Sequence, residues 1–135
     1  MGKRRRAREC ALQMLFQIDL TGVEAVEVYA QFWKAHVVEA DVRSFSQDLV
    51  DGVQAAKTEL DRRIERVAAH WKISRMAVVD RNVLRMALYE MGLRPETPVA
   101  VVFDEAIEVA RRFGTEESAR FVNGVLDALR REAVE

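Results

Sequence analysis

Apolar residues recur along nearly the whole of this chain with the period of an α-helix, and no segment alternates with period two for long. The clearest stretch is Leu60, Ile64, Val67, Ala68 and Trp71, at i, i+4, i+7, i+8 and i+11, with Asp61, Arg62, Arg63 and Glu65 mostly on the other side. A chain patterned this way buries its apolar surface helix against helix, so the expected fold is all-α. Val99 to Phe103 is rich in strand-favouring residues, but the Thr97-Pro98 start signal and the helical period that follows make it a helix.

Seven helices are predicted. The first carries Ala7, Ala11, Met14, Leu15 and Ile18 on one face and ends at Thr21-Gly22. The second covers about 24–36, with a stripe of Val26, Tyr29, Ala30, Trp33 and Val37. The third starts near Asp41, carries Val42, Phe45, Leu49 and Val53, and bends or ends at Gly52; the fourth is the stretch through Trp71. Ser74 is a good N-cap for a fifth helix that reaches Leu93. That helix is apolar on most sides, which fits the middle of a bundle or a partner-covered face. The segment Arg94-Pro95-Glu96-Thr97-Pro98 separates it from a sixth helix, capped by Thr97, with Val99, Val102, Ala106, Val109, Ala110 and Phe113 as its stripe and Gly114 as its stop. Thr115 caps the seventh, whose core face is Val122, Val125, Leu126 and Leu129. At 135 residues the chain fits one domain, with a division expected near 72–74.

Charge is unevenly placed. Residues 1–9 carry Lys3, Arg4, Arg5, Arg6 and Arg8 against Glu9, a net of +4; the other 16 bases and 21 acids sum to −5. A basic arm on an otherwise acidic chain points to phosphate. It is no secretory signal, because Gln13, Gln17 and Asp19 interrupt the apolar residues after it. No run approaches a membrane span, so a cytoplasmic protein is expected.

Catalytic patterns are absent: there is no glycine-rich phosphate loop, nucleophile elbow or paired-histidine zinc motif. Asp104-Glu105 and Glu116-Glu117 are adjacent pairs that diverge by about 100° on a helix and suit solvation or the helix dipole better than acid/base work. One cysteine, Cys10, and two distant histidines, His36 and His70, make neither a disulfide nor a metal cluster. No cofactor or metal is expected, and no enzyme.

Binding is a different matter. A terminal Lys/Arg run is also the composition of a solubilising tail, but this one continues into a helix and so has a fixed direction. A helical wheel puts Phe16 off the core face, among Arg5, Glu9 and Gln13, where its ring could stack on an unpaired base or lie under further helices. Arg120-Phe121 repeats the arrangement in the last helix, where Phe121 could equally be a core-edge residue. Asp80 falls among Ala77, Leu84 and Ala87, so it needs either an arginine partner or another protein.

Four segments, in order, resemble the NusB family of transcription antitermination factors: Arg5-Arg6-Ala7-Arg8-Glu9-Cys10-Ala11-Leu12-Gln13; Asp80 through Glu90; Pro98-Val99-Ala100 through Phe113-Gly114; and Phe121-Val122-Asn123-Gly124-Val125-Leu126-Asp127. Residues 23–73 match only as helical pattern. The resemblance implies two small helical bundles, about 1–72 and 73–135, in a single domain. It implies binding to boxA, a single-stranded element of ribosomal RNA transcripts, together with NusE, the small-subunit ribosomal protein, within an RNA polymerase antitermination complex. RNA contacts are expected at Lys3, Arg4, Arg5, Arg6, Arg8, Gln13, Phe16, Arg120 and Phe121, and partner contacts at Phe16 and Asp80. Alternatives are a helical protein-interaction module, the NusB-like domain of ribosomal RNA methyltransferases, and a homodimer that covers the arm.

Overall fold

The computed structural model describes residues 2–68, 70–93 and 95–134, the side chains of 133 and 134 excepted. Six α-helices follow one another: α1 (Lys3–Thr21), α2 (Ala25–Ala35), α3 (Ala40–Val67), α4 (Val78–Leu93), α5 (Val99–Phe113) and α6 (Glu116–Val134). A 3-10 turn, Ile73–Arg75, precedes α4. There is no strand among the described residues, and no helix is long and apolar enough to cross a membrane. The expected all-α class holds. Arg94 of the predicted break lies outside the described residues.

Helix α1 begins without a side-chain cap and has no acidic residue in its first turn. Its core face is wider than one stripe: Ala7, Cys10, Ala11, Leu12, Met14, Leu15 and Ile18 are all buried. Gly22 ends it at φ 73° and returns its N–H to the Ile18 carbonyl at 2.8 Å. That left-handed backbone is the conformation glycine adopts at no steric cost.

Helix α2 is rotated from the expected stripe. Val28 and Phe32 are buried, whereas Val26 and Val37 are 74% and 93% exposed. Polar tips of its half-buried aromatics decide the rotation. Tyr29 Oη donates to Asp51 Oδ1 at 2.5 Å and Trp33 Nε1 donates to Gln47 Oε1 at 2.8 Å, both on α3.

The two helices expected either side of Gly52 form one, α3, of 28 residues. Gly52 is no stop: a Cβ there would overlap the ring of Tyr89 on α4. The missing side chain lets α3 and α4 approach, and the surrounding core residues carry the helix through. Gly52→Ala is expected to destabilise by about 1–2 kcal/mol, because overpacking outweighs the roughly 1 kcal/mol of helix propensity gained. In the background of Tyr89→Ala the same substitution should become stabilising. A urea double-mutant cycle checks this, and a stabilised single variant would contradict it.

Two boundaries shift. Trp71 lies beyond the end of α3 and is 51% exposed, outside the stripe assigned to it. Ser74 sits inside the 3-10 turn and makes no cap; Ile73 and Met76 are buried, and the Ile73 N–H donates to Glu65 Oε2 at 2.7 Å. The start of α5 falls one residue late, with the Pro98 carbonyl accepting from the Val101 and Val102 N–H groups. Thr115 does cap α6, its Oγ1 accepting the Ser118 N–H at 3.1 Å.

Helix α4 is buried without interruption from Asn82 to Leu88 and packs against α1, α3, α5 and α6. It carries polar groups that need partners in so buried a place. Arg85 grips Asp61 through Nε and Nη2, at 2.7 and 3.0 Å, and reaches Asp19 of α1 at 3.2 Å. Asp19 Oδ2 also accepts from Arg81 Nε at 2.8 Å and Asn82 Nδ2 at 2.9 Å. Burial alone would push the Asp19 carboxyl up, but these donors and the two arginine charges hold it at about 2. None of this network is visible in the apolar pattern.

Candidate nucleic-acid interface

The first two turns of α1 present the basic arm, and the structure sorts its cations into two kinds. Lys3 Nζ lies 2.7 Å from Glu39 Oε2 and 3.1 Å from Asp41 Oδ2. Arg5 forks onto Glu105 of α5, at 3.0 Å through Nε and 2.6 Å through Nη2. Arg4 is exposed and lies over the Phe45 ring, 5.4 Å from its centroid. Arg6 is half-buried and forms no ion pair among the described residues.

Arg8 departs from the expectation. It is buried, and its fork is taken by Glu90 of α4 at 2.8 and 2.5 Å, with Glu105 a further 3.4 Å away. A guanidinium held this way has no face left for phosphate; it fixes α1 to α4 and α5. The other half of the Arg8-Glu9 dipeptide acts likewise: buried Glu9 accepts from Arg112 Nη1 at 3.0 Å. Glu105, expected in solvent, is instead the shared anion of Arg5 and Arg8. The Arg5 hydrogen bonds outweigh its partial burial and hold its carboxyl below the ordinary range.

Farther along α1 lies an apolar cleft of about 440 Å³. Gln13, Phe16 and Gln17 line it from α1, Phe32 and His36 from the end of α2, and Val79 and Phe113 from the start of α4 and the end of α5. Phe16 is 37% exposed at its rim, so no second layer of helices covers it. Gln13 donates its amide to the Glu9 carbonyl at 3.3 Å. The His36 ring stacks on Phe32, centroids 4.0 Å apart.

A second cleft, of about 370 Å³, lies at the start of α4 and α6. Trp71, Arg75 and Asp80 line it from the segment entering α4, and Thr115, Glu117, Ser118 and Phe121 from the start of α6. Trp71 and Phe121 meet edge to face, 5.9 Å between centroids. Phe121 is half-buried, so part of its ring belongs to the core edge and part to the cleft. Arg120 beside it is exposed and carries no ion pair among the described residues.

Asp80 has no arginine partner among the described residues. It is buried, its Oδ1 has no hydrogen-bond partner, and burial pushes its carboxyl up against a hydrogen bond with Ser118 that pulls it down. Arg81, its chain neighbour, turns the other way to Asp19. A buried, half-satisfied carboxyl costs stability, and such groups concentrate at binding sites.

Geometry joins these parts. Arg8 meets Glu90 while Asp19 meets Arg81, so α1 and α4 run antiparallel. The arm lies at the C-terminal end of α4 and the Trp71–Phe121 cleft at its N-terminal end, where Val79 also lines the Phe16 cleft. Trp71 and Arg75 of this surface carry no signal in the sequence: Trp71 falls on a periodic stripe that continues past the point where α3 stops. Among the described residues no group of His, Cys, Asp and Glu is placed to hold a metal ion. Cys10 is buried, and burial pushes its thiol up, the state of an unreactive core residue.

A model of the NusB family matches residues 5–131. The transcription antitermination protein NusB of Sorangium cellulosum is 45% identical over 129 residues, 96% of this chain and 92% of that protein. Its counterpart in Koribacter versatilis is 48% identical over 132 residues, 97% of this chain and 90% of that protein. Solved structures agree. T. maritima NusB superimposes with a TM-score of 0.87 at 34% identity, covering 96% of this chain and 91% of that one. A crystal structure of the antitermination factors NusB and NusE in complex with double-stranded RNA gives 0.87 at 28% identity, covering 98% of each chain. The helices, their order and nearly their full length therefore place this chain in the NusB family of transcription antitermination proteins.

Proposed function

We propose that this protein is an antitermination factor that binds boxA-type single-stranded RNA of ribosomal RNA transcripts, together with NusE, as part of an RNA polymerase complex in the cytoplasm. The observation that carries the reading is a basic arm at the start of α1 together with two open clefts lined by aromatics, one at Phe16 farther along α1 and one at the Trp71–Phe121 pair. Cations followed by partly exposed aromatics in open clefts suit phosphates followed by splayed bases, as duplexes do not offer them. That a relative was solved with NusE and double-stranded RNA supports NusE and RNA as the classes of partner, while the single strand rests on the aromatic clefts. Nothing in the mechanism is chemical. Arginines neutralise phosphates and release counterions, aromatics hold bases, and a second protein extends the surface.

The buried, half-satisfied Asp80 carboxyl, which lines the Trp71–Phe121 cleft, is the best candidate contact for the protein partner, with Phe16 the other. A helical module that only binds proteins would share the fold. Mobility shifts with boxA RNA, with and without NusE, separate the two readings, and failure of both would favour the protein-binding module.

If Lys3, Arg4, Arg5 and Arg6 each meet a phosphate, the slope of log affinity against log salt should be roughly −3. Arg6→Ala is expected to flatten it by about 0.7 without changing base preference. Phe121→Ala should cost about 1–3 kcal/mol of binding and cost more on boxA than on a scrambled RNA. Fluorescence anisotropy across a salt series measures all three, and equal losses on both RNAs would leave Phe121 as a core residue only.

A further inference from the structure

The arm that is to meet RNA already meets anions of its own chain. Four cations in the first turn of α1 oppose the helix dipole, and no acid of that turn relieves them. The relief comes from outside. Glu39 and Asp41, at the start of α3, hold Lys3; Glu105, from the middle of α5, holds Arg5. The Lys3 contact is fully at the surface, with the three side chains 57%, 67% and 62% exposed. The Arg5 fork is tighter, its carboxylate largely covered. Both are charge-assisted contacts to anionic oxygens, of the kind a phosphate oxygen would also make.

We infer that Glu39, Asp41 and Glu105 are built-in competitors for phosphate, latching Lys3 and Arg5 until RNA displaces them. This rests on the arm being a phosphate-binding element, as proposed above. Its consequence is a division within the arm. Arg4 and Arg6, which have no carboxylate partner among the described residues, give first contact with any phosphate chain. Lys3 and Arg5 join only where the RNA is held well enough to replace a carboxylate. Weak, sequence-blind binding therefore uses half the arm, and the well-seated complex uses all of it.

Glu39→Gln with Asp41→Asn tests the outer latch. Both positions are exposed, so the fold should survive, which a thermal melt verifies. The control is Glu24→Gln with Glu27→Gln at the far end of α2. It makes the same change in net charge at exposed positions that touch no cation of the arm. Binding of the three full-length proteins to labelled boxA RNA and to inorganic polyphosphate is measured at one low salt concentration. The latch-free variant is expected to bind boxA RNA about two- to tenfold tighter than wild type, from two exposed pairs released, with the control changing by less than about twofold.

Gains equal in variant and control would show a general charge effect and overturn the latch. A weaker latch-free variant would overturn it too, by showing that the carboxylates position Lys3 for RNA. If wild type binds no boxA RNA but binds polyphosphate, the RNA reading fails and the latch is judged on polyphosphate by the same comparison. If none of the three binds polyphosphate, the arm takes no phosphate and the inference falls. Glu105→Gln extends the measurement to Arg5, since Arg8 keeps Glu90 in that variant.

Discussion

Glu90→Ala is expected to lower the unfolding free energy by about 3–5 kcal/mol, the range for removing one partner of a buried ion pair. Glu90 and Arg8 are both almost wholly out of water, at 2% and 6% side-chain exposure, and meet through two parallel hydrogen bonds. Without Glu90 the guanidinium stays buried beside α4 with only Glu105, at 3.4 Å, to balance it. That second carboxylate places the loss toward the low end of the range. For a domain of this size it corresponds to a drop in melting temperature of roughly 10 °C. Replacing the pair together, with Arg8→Met and Glu90→Leu, should recover most of the loss, because it removes the stranded charge and restores apolar volume. Urea unfolding of the two variants is the measurement. A loss below about 1 kcal/mol for the single substitution would mean that water reaches Arg8.

Acid should expose the Asp19 network. Its carboxyl sits at about 2 in the folded protein against an ordinary 3.8, so folding favours the charged form. The stabilisation is complete above about pH 4 and is lost as pH falls through about 2, which amounts to about 2 kcal/mol. The side chain is only 13% exposed, so solvent screening takes little from that figure. Asp19→Asn keeps the shape but accepts from Arg81 and Arg85 without charge. It should be less stable than wild type at neutral pH, and the gap should close toward about pH 2. Stability curves from urea titrations at several pH values check this. Parallel curves for the two proteins would remove Asp19 as the source of the acid sensitivity.

Most of the helices were legible because burial repeats with the helical period: α1 and α6 bury the faces their sequences predict, and α5 buries its stripe from Val102 to Ala110, with Val99 at its start exposed and Phe113 at its end half-buried. What escaped depends on residues distant in the chain. Gly52 resembles a helix stop until Tyr89 is seen lying where its side chain would be. Arg8 reads as one more cation of a basic arm until Glu90 arrives from α4. The α2 stripe is set by hydrogen bonds to Asp51 and Gln47, which periodicity does not count. In the candidate site, the arm and the Arg120-Phe121 pair stand out by residue type and motif. Trp71 does not, because an aromatic one turn past a helix end looks like the next rung of its stripe.

The unbroken α3 has a mechanical consequence. At 28 residues it is a rod of about 42 Å, and it touches α1, α2, α4 and α6 along its length. Opening one end of the molecule alone would mean melting this rod in the middle, at Gly52, where Tyr89 is packed against it. The start of the rod carries Asp41, beside the arm, and its far end leads to Trp71 and the aromatic cleft. The two places where RNA is expected to be held are thus mounted on one strut, at a spacing that thermal bending barely alters. Any RNA that fits both must bring its own flexibility to the encounter.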